Sequence, residues 1–309
     1  METSLRGDAP GDASSPYRRL SLVLNEKAGA MLAAGKTPDL AARLEAGGAI
    51  TRQVAQGHLP DRLRAALADA DAVVVAGGDG TVACAAAVLA GTGMPLGILP
   101  GGTMNLLACD LHLPAADMDA AADVILAGRT RDIDVGYAGG HVFLCACMLG
   151  EPARLGRHRE QARMAGRVRR VLRMARAALR IVARPRRLRL TLSVDGVAHA
   201  VKTSALTITL NALADGQGRL FARPALDGGT LVAYVVRRPS AFALVRSFVR
   251  MAIGRPRDPS LLVLQGSAMR IEAKTGALHM LVDGEERLMS TPFDLTIQKR
   301  ALRVFAPAP

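Results

Sequence analysis

The sequence predicts two domains: an α/β domain with a parallel sheet and helices on both faces, then a mainly antiparallel β-sandwich domain. Three observations carry that expectation. From Arg18 onward, short apolar runs alternate with helix-like segments, the rhythm of a parallel sheet with crossover helices. One run, Ala72 to Ala76 (AVVVA), is apolar at every position, as a strand buried on both faces is. After about Arg131, strand-length runs dominate, separated by the turn signals Asp195-Gly196, Asp227-Gly228 and Asp283-Gly284.

The elements follow in order. Leu20 to Leu24 reads as a strand, Asp39 to Glu45 as a helix, Ala49 to Val54 as a strand and Asp61 to Ala70 as a helix. The buried strand at Ala72 leads into an Ala-rich helix, Val82 to Ala90. Leu96 to Leu99 is the next strand, and Met104 to Leu111 the next helix. Further strands are expected at Val142 to Met148, Leu188 to Val194, Ser204 to Leu210, Leu231 to Val236, Ala268 to Ala273 and Leu278 to Val282. The expected divisions are a disordered leader over 1–16, a first domain over 17–132 and a second over 133–309. The last strand is a candidate to return to the first domain. Internal repeats are absent.

Composition narrows the function classes. No run reaches the roughly 20 apolar residues of a membrane-spanning helix. Met1 to Pro16 mixes Gly, Asp, Ser and Pro without the apolar stretch of a signal peptide. The expected location is cytoplasmic, or peripheral at the inner face of the membrane. Cys84, Cys109, Cys145 and Cys147 form no CxxC pair, and the six histidines show no metal spacing. Cys145 and Cys147 alternate, so they are expected on one face of one strand, as small buried hydrophobes. The net charge of +13 favours anionic partners.

Two glycine-rich turns carry the chemistry. Gly77-Gly78-Asp79-Gly80-Thr81 joins the buried strand to the Ala-rich helix. Backbone N–H groups can converge on an anion there, and the helix N-terminus adds favourable partial charge. Thr81 is the expected N-cap. A hairpin turn would also contain Asp-Gly, but the Ala-rich sequel disfavours a strand. One βα unit later, Leu96 to Asn105 (LGILPGGTMN) repeats the arrangement. Two such loops at the carboxyl ends of neighbouring strands would form one nucleotide-sized crevice. The P-loop, GxGxxG and protein-kinase signatures are missing. Pattern alone therefore gives a nucleotide-binding α/β domain and no reaction.

GGDGT followed by GILPGGTMN resembles the signature of the diacylglycerol kinase catalytic-domain family, related to sphingosine kinases and more distantly to NAD kinases. The resemblance runs from Leu20 to Phe305. It includes Asn25-Glu26-Lys27-Ala28-Gly29 after the first strand, Thr51 after the second, and Val282-Asp283-Gly284-Glu285 with Thr291-Pro292 near the C-terminus. It implies a two-domain kinase using ATP and Mg²⁺, with its site between the domains and a lipid alcohol as substrate. Gly77, Gly78, Asp79, Gly80, Thr81, Gly102 and Thr103 would hold phosphates, and Asn25, Thr51 and Asn105 would line the crevice. Glu285 would be the general base, with Asp79 as a second catalytic carboxylate. Phosphoryl transfer needs positioning, charge neutralisation and a group to take the hydroxyl proton, which suits this set. Alone, Glu285 beside Glu286 would read as a surface hairpin acid. The family often has Asp where Leu106 stands. Its metal-linked turn appears as Asp227-Gly228-Gly229, which leaves Asp227 as the candidate Mg²⁺ ligand or that site lost.

Between Arg154 and Arg189 there are 14 arginines and one acid, Glu160. Over about 159–184, Val168, Leu172, Ala175 and Leu179 fall on one helical face, with Arg163, Arg170, Arg173 and Arg184 opposite. Such a helix is either a solvated charged face or a dock for an anionic membrane surface. No nucleic-acid-binding signature is present, and Trp is absent. The family often pairs subunits, so a homodimer is an open expectation. Two other readings remain: a soluble NAD kinase-like enzyme, and a catalytically weak, membrane-associated nucleotide-binding regulator.

Overall fold

A computed structural model describes residues 15–25, 39–154, 187–214, 222–237 and 261–308. The segment Glu26 to Gly29, residues 1–14 of the leader and the basic helix expected over about 159–184 lie outside the described residues.

The first strands are β1 (Arg19–Leu24), β2 (Ile50–Gln53), β3 (Ala72–Gly77) and β4 (Leu96–Pro100). They lie in the order β2-β1-β3-β4, all parallel. The helices are α1 (Leu40–Ala46), α2 (Leu59–Ala66), α3 (Asp79–Leu89), α4 (Leu106–Asp110) and α5 (Met118–Leu126). Strand β3 shows why its sequence is apolar throughout. Val73 and Val75 pack with Leu63 of α2 and Ala85 and Leu89 of α3. Ala72, Val74 and Ala76 pack on the opposite face with Leu40 and Leu44 of α1 and Ile125 of α5. Alternate side chains enter two cores, so neither set can be polar.

The second half adds β5 (Thr130–Ala138), β6 (His141–Phe143), β7 (Ala146–Gly150), β8 (Leu188–Val194), β9 (Val197–Thr203), β10 (Ala205–Leu210), β11 (Leu231–Val236), β12 (Leu261–Gly266), β13 (Ala268–Ala273), β14 (Ala277–Val282), β15 (Glu285–Ser290) and β16 (Phe293–Phe305). Among the described residues, β12-β11-β10-β7-β14-β15 form one antiparallel sheet. It packs face to face on β8 and β13 through Leu206, Ile208, Ala233 and Met280 against Leu192 and Ile271. This is the expected β-sandwich.

Strand β16 joins the two halves. Its start pairs antiparallel with β13, and Val304 pairs in parallel with Leu96 of β4. Strand β5 follows β16 from Ala138 to Thr130, with a shift between Gln298 and Leu302 where Arg300 has φ 49°. The parallel sheet and one layer of the sandwich are therefore a single mixed sheet.

Three local expectations are corrected. The run from Val142 to Met148 is two strands, because the N–H groups of Leu144, Cys145 and Ala146 all turn to the Asp283 carboxylate. A backbone that gives three successive donors to one side chain cannot also continue a ladder. Cys145 and Cys147 consequently face different cores, Cys145 the first and Cys147 the sandwich. Both are buried and free. Helix α3 starts two residues before Thr81, with Gly78 at its N-cap, so Thr81 is an interior residue of the first turn.

Candidate functional site

The two glycine-rich turns touch backbone to backbone. Gly101 N–H donates to Gly77 O at 2.8 Å. A β-carbon on Gly102 would lie 2.6 Å from the Gly78 α-carbon, and one on Gly78 would lie 3.1 Å from Gly102. Glycine is required at both because the approach is between main chains, which have no rotamer to yield. Gly77 is covered by the Thr81 side chain. Thr81 is buried, and its Oγ1 accepts from Asn25 Nδ2 at 2.7 Å. Asn25 N–H donates to Ala76 O at the end of β3, so Asn25 ties β1 to the first turn.

Asn105 builds the second turn from within. It sits at φ 48° and caps α4. Its Oδ1 accepts from Gly102 N–H at 2.9 Å, and its Nδ2 reaches Gly102 O and Ala115 O. Asp79 crosses between the turns: its Oδ1 accepts from Leu106 N–H, at the start of α4, at 2.6 Å. Thr103 is exposed beside them.

The sandwich contributes Glu285. Asp283 (φ 47°) and Gly284 (φ 87°) form the tight turn between β14 and β15, a backbone shape that suits Asp-Gly. Asp283 points inward and accepts from Leu144, Cys145 and Ala146 N–H at 2.5, 2.9 and 2.8 Å. Burial pushes its carboxyl up, against the pull of those three bonds and of Arg223. With Asp283 held, Glu285 projects toward α3. Its Oε1 lies 2.5 Å from where a β-carbon on Gly80 would stand, and its Oε2 accepts from Arg287 at 2.7 Å. Cys84, one turn beyond Gly80, has its thiol pushed up by burial and by the Glu285 charge.

The structure thus brings Asn25, Gly77, Gly78, Asp79, Gly80, Thr81, Gly102, Thr103, Asn105 and Glu285 to one place, at the carboxyl ends of β1, β3 and β4. It does not bring Thr51 there. Thr51 lies within β2, level with Leu20 and Ala72 at the amino ends of the strands, and its hydroxyl donates to Glu45. Five residues of strand, roughly 16 Å, separate that level from Gly77. Asp227 is also set apart as a metal ligand. Its carboxylate lies 3.2 Å from Arg300 and 4.0 Å from Arg131, so two guanidinium groups already neutralise it. Among the described residues, no three His, Cys, Asp or Glu side chains gather to hold an ion.

Sequence reasoning missed Asp110, Arg223 and Arg287. Arg287 is two residues from Glu285 on the same strand, a period-two signal that was available. Asp110 and Arg223 are 113 positions apart and leave no local pattern. They edge a small apolar pocket lined by Leu106, Ala146, Met148 and Leu213.

Comparison with known proteins agrees with this geometry. Residues 19–138 match the model "Diacylglycerol kinase catalytic domain". Residues 147–306 match "YegS C-terminal NAD kinase beta sandwich-like domain". A diacylglycerol kinase of Mycobacterium tuberculosis (strain H37Rv) is 53% identical over 66 residues, 21% of each chain. One of Bacillus subtilis (strain 168) is 39% identical over 82 residues, 26% of this chain and 27% of that protein. The alignments with these two curated relatives span only about a fifth to a quarter of their length. A crystal structure of a diacylglycerol kinase from Bacillus anthracis strain Sterne superposes with a TM-score of 0.68 at 17% identity, covering 95% of this chain and 98% of that one. That likeness is one of fold. With both halves matched in order, the chain belongs to the diacylglycerol kinase catalytic-domain family.

Proposed function

We propose that this chain is an ATP-dependent lipid kinase, transferring the γ-phosphoryl group of ATP to a hydroxyl of a lipid such as diacylglycerol. The observation that carries the reading is the contact of the Glu285 carboxylate with Gly80, in the first turn of α3. A proton acceptor and a phosphate cradle then meet at one point. The N-terminal N–H groups of α3 and the close-set backbones of Gly78 and Gly102 suit the phosphates of a nucleotide. Glu285 takes the proton of the acceptor hydroxyl as its oxygen bonds to the γ-phosphorus, and the β–γ bridging oxygen leaves with ADP. Mg²⁺ would enter with the nucleotide; among the described residues no three His, Cys, Asp or Glu side chains gather to hold it by themselves. Bound that way, it would neutralise phosphate charge.

The acceptor is read as a lipid from the family and from the names of its relatives. No helix among the described residues is long and apolar enough to cross a membrane. Peripheral attachment is read from the arginines between 154 and 189, which would be drawn to anionic headgroups at about 1 kcal/mol each near the surface.

The test is Mg-ATP turnover on a panel of lipid alcohols in mixed micelles, wild type beside Glu285→Gln. Phosphorylation of one lipid by wild type, with turnover lost and ATP binding kept in the variant, is the expected result. ATP binding with no lipid phosphorylated would favour a regulatory role.

A further inference from the structure

The candidate site is closed by a continuous ring of contacts. Asp79 in the first glycine-rich turn holds the start of α4 at Leu106. Asp110, the last residue of α4, pairs with Arg223 from the second half of the chain. Arg223 in turn holds Leu144 O, and Leu144 to Ala146 donate to Asp283. Asp283 begins the turn that presents Glu285, and Glu285 returns to Gly80, next to Asp79.

We infer that Asp110 and Arg223 are a positioning pair that sets Glu285 against the Gly77–Thr81 turn, acting through Leu144–Ala146 and Asp283. This rests on Glu285 being the base. The pair is the ring's charged link between the nucleotide-binding half and the sandwich. It is deeply buried, with side-chain exposures of 8% for Asp110 and 2% for Arg223. The guanidinium is engaged on every side. Nε donates to Asp110 Oδ2 at 2.9 Å, and the second terminal nitrogen lies 2.7 Å from the same oxygen. The first terminal nitrogen donates to Leu144 O at 2.5 Å and Leu210 O at 3.2 Å.

A buried ion pair adds little net stability over a well-packed apolar pair of similar volume. What this one supplies is direction. A planar fork with fixed donor angles relates the Leu144 carbonyl to the end of α4, and an apolar contact would leave that relation loose. Leu144 is gripped from both sides, its carbonyl by Arg223 and its N–H by Asp283. A shift at α4 therefore reaches the turn that carries Glu285 through the Asp110, Arg223 and Asp283 side chains, each held by burial and by its hydrogen bonds. Positioning errors of about 1 Å at a reacting group cost on the order of 100-fold in rate.

The experiment compares the full chain with Asp110→Leu/Arg223→Met, which replaces the pair by apolar side chains, and with Arg223→Lys, which keeps the charge and loses the fork. Expected for the double variant are a folded protein with a lowered unfolding midpoint, because Leu144 O and Leu210 O lose the donor that Arg223 gave them, together with unchanged binding of a non-hydrolysable ATP analogue and faster amide hydrogen exchange at 284–287. The kcat for the lipid acceptor should fall about 10-fold or more. In a Glu285→Gln background the same double replacement should change residual turnover less than about twofold, because the element it positions is already disabled. Arg223→Lys should fall between, and it decides the matter if the double variant does not fold. Unchanged exchange at 284–287, or equal losses in both backgrounds, would overturn the inference. If wild type phosphorylates no lipid, the assignment of Glu285 fails, while hydrogen exchange still decides whether the pair holds the turn.

Discussion

Glu285 Oε1 occupies the space that any side chain at position 80 would need: a β-carbon on Gly80 would stand 2.5 Å from it. Gly80 is the second residue of α3, where alanine is the better helix former by about 1 kcal/mol. The obstacle is the far end of a flexible side chain, so the carboxylate can move aside. Gly80→Ala should therefore leave the unfolding midpoint unchanged or slightly raised while displacing the proposed base. A fall in kcat of about 10- to 100-fold, with folding intact, is the expected pair of results. Full activity in a stable Gly80→Ala protein would show that the contact has no part in turnover.

Parts of this site were legible in the sequence because neighbouring segments narrowed what each residue pattern could be. AVVVA, short, rich in valine and followed at once by glycines, read as a strand with both faces buried, and the glycine-rich turns marked the carboxyl edge of the sheet. Strand β16 was less legible. Its sequence, FDLTIQKRALRVF, alternates apolar and polar residues only until the irregularity near Arg300 breaks the period. The distinction between Asp283 and Glu285 was also hidden. Both are acids at a turn, and only the fold shows that Asp283 turns inward to three amides while Glu285 points at α3. Thr51 was misplaced because Ala49 to Val54 (AITRQV) mixes apolar and polar residues and gives no sign of which end of the sheet Thr51 occupies.

The inward role of Asp283 predicts a stability effect. Asp283→Ala would leave the Leu144, Cys145 and Ala146 N–H groups without their acceptor in a buried place. Each unsatisfied buried donor costs about 1–3 kcal/mol, so a loss of about 3 kcal/mol or more is expected. Urea denaturation measures it. A loss below about 1 kcal/mol would mean that water or other acceptors reach those amides.

A pH effect follows from the pairing of β5 with β16. The Asp132 carboxyl is held below its ordinary value of 3.8, first by the hydrogen bond from Arg303 and then by the charges of Arg303 and Arg300, against desolvation. A lowered folded-state value means that the stabilisation is complete above the unfolded value and fades as pH falls through the folded one. Asp132 and Arg303 are both partly exposed, so screening limits the contribution to about 1 kcal/mol at most. Asp132→Asn should be slightly less stable than wild type at neutral pH, and the difference should shrink below about pH 4. Chemical denaturation at several pH values checks this, and a gap that widened in acid would contradict the sign.

Asp227 gives the cleanest division between a metal ligand and an ion-pair partner. Its carboxylate is shared between Arg300 on β16 and Arg131 on β5, and the neighbouring Gly229 N–H donates to buried Asp134 at 2.7 Å. Asp134 also accepts from Arg300 N–H and Asn211 Nδ2. The loop carrying Asp227 is thus fixed by Asp134 whether or not Asp227 keeps its charge. Asp227→Asn should cost no more than about 1 kcal/mol of stability, as exposed pairs do. It should also leave the Mg²⁺ concentration for half-maximal turnover unchanged, because a cation already faces the carboxylate from each side. A several-fold rise in that Mg²⁺ requirement would mean that Asp227 leaves its arginines and reaches the ion when nucleotide is bound. The family's metal-linked turn would then survive here in a shifted register.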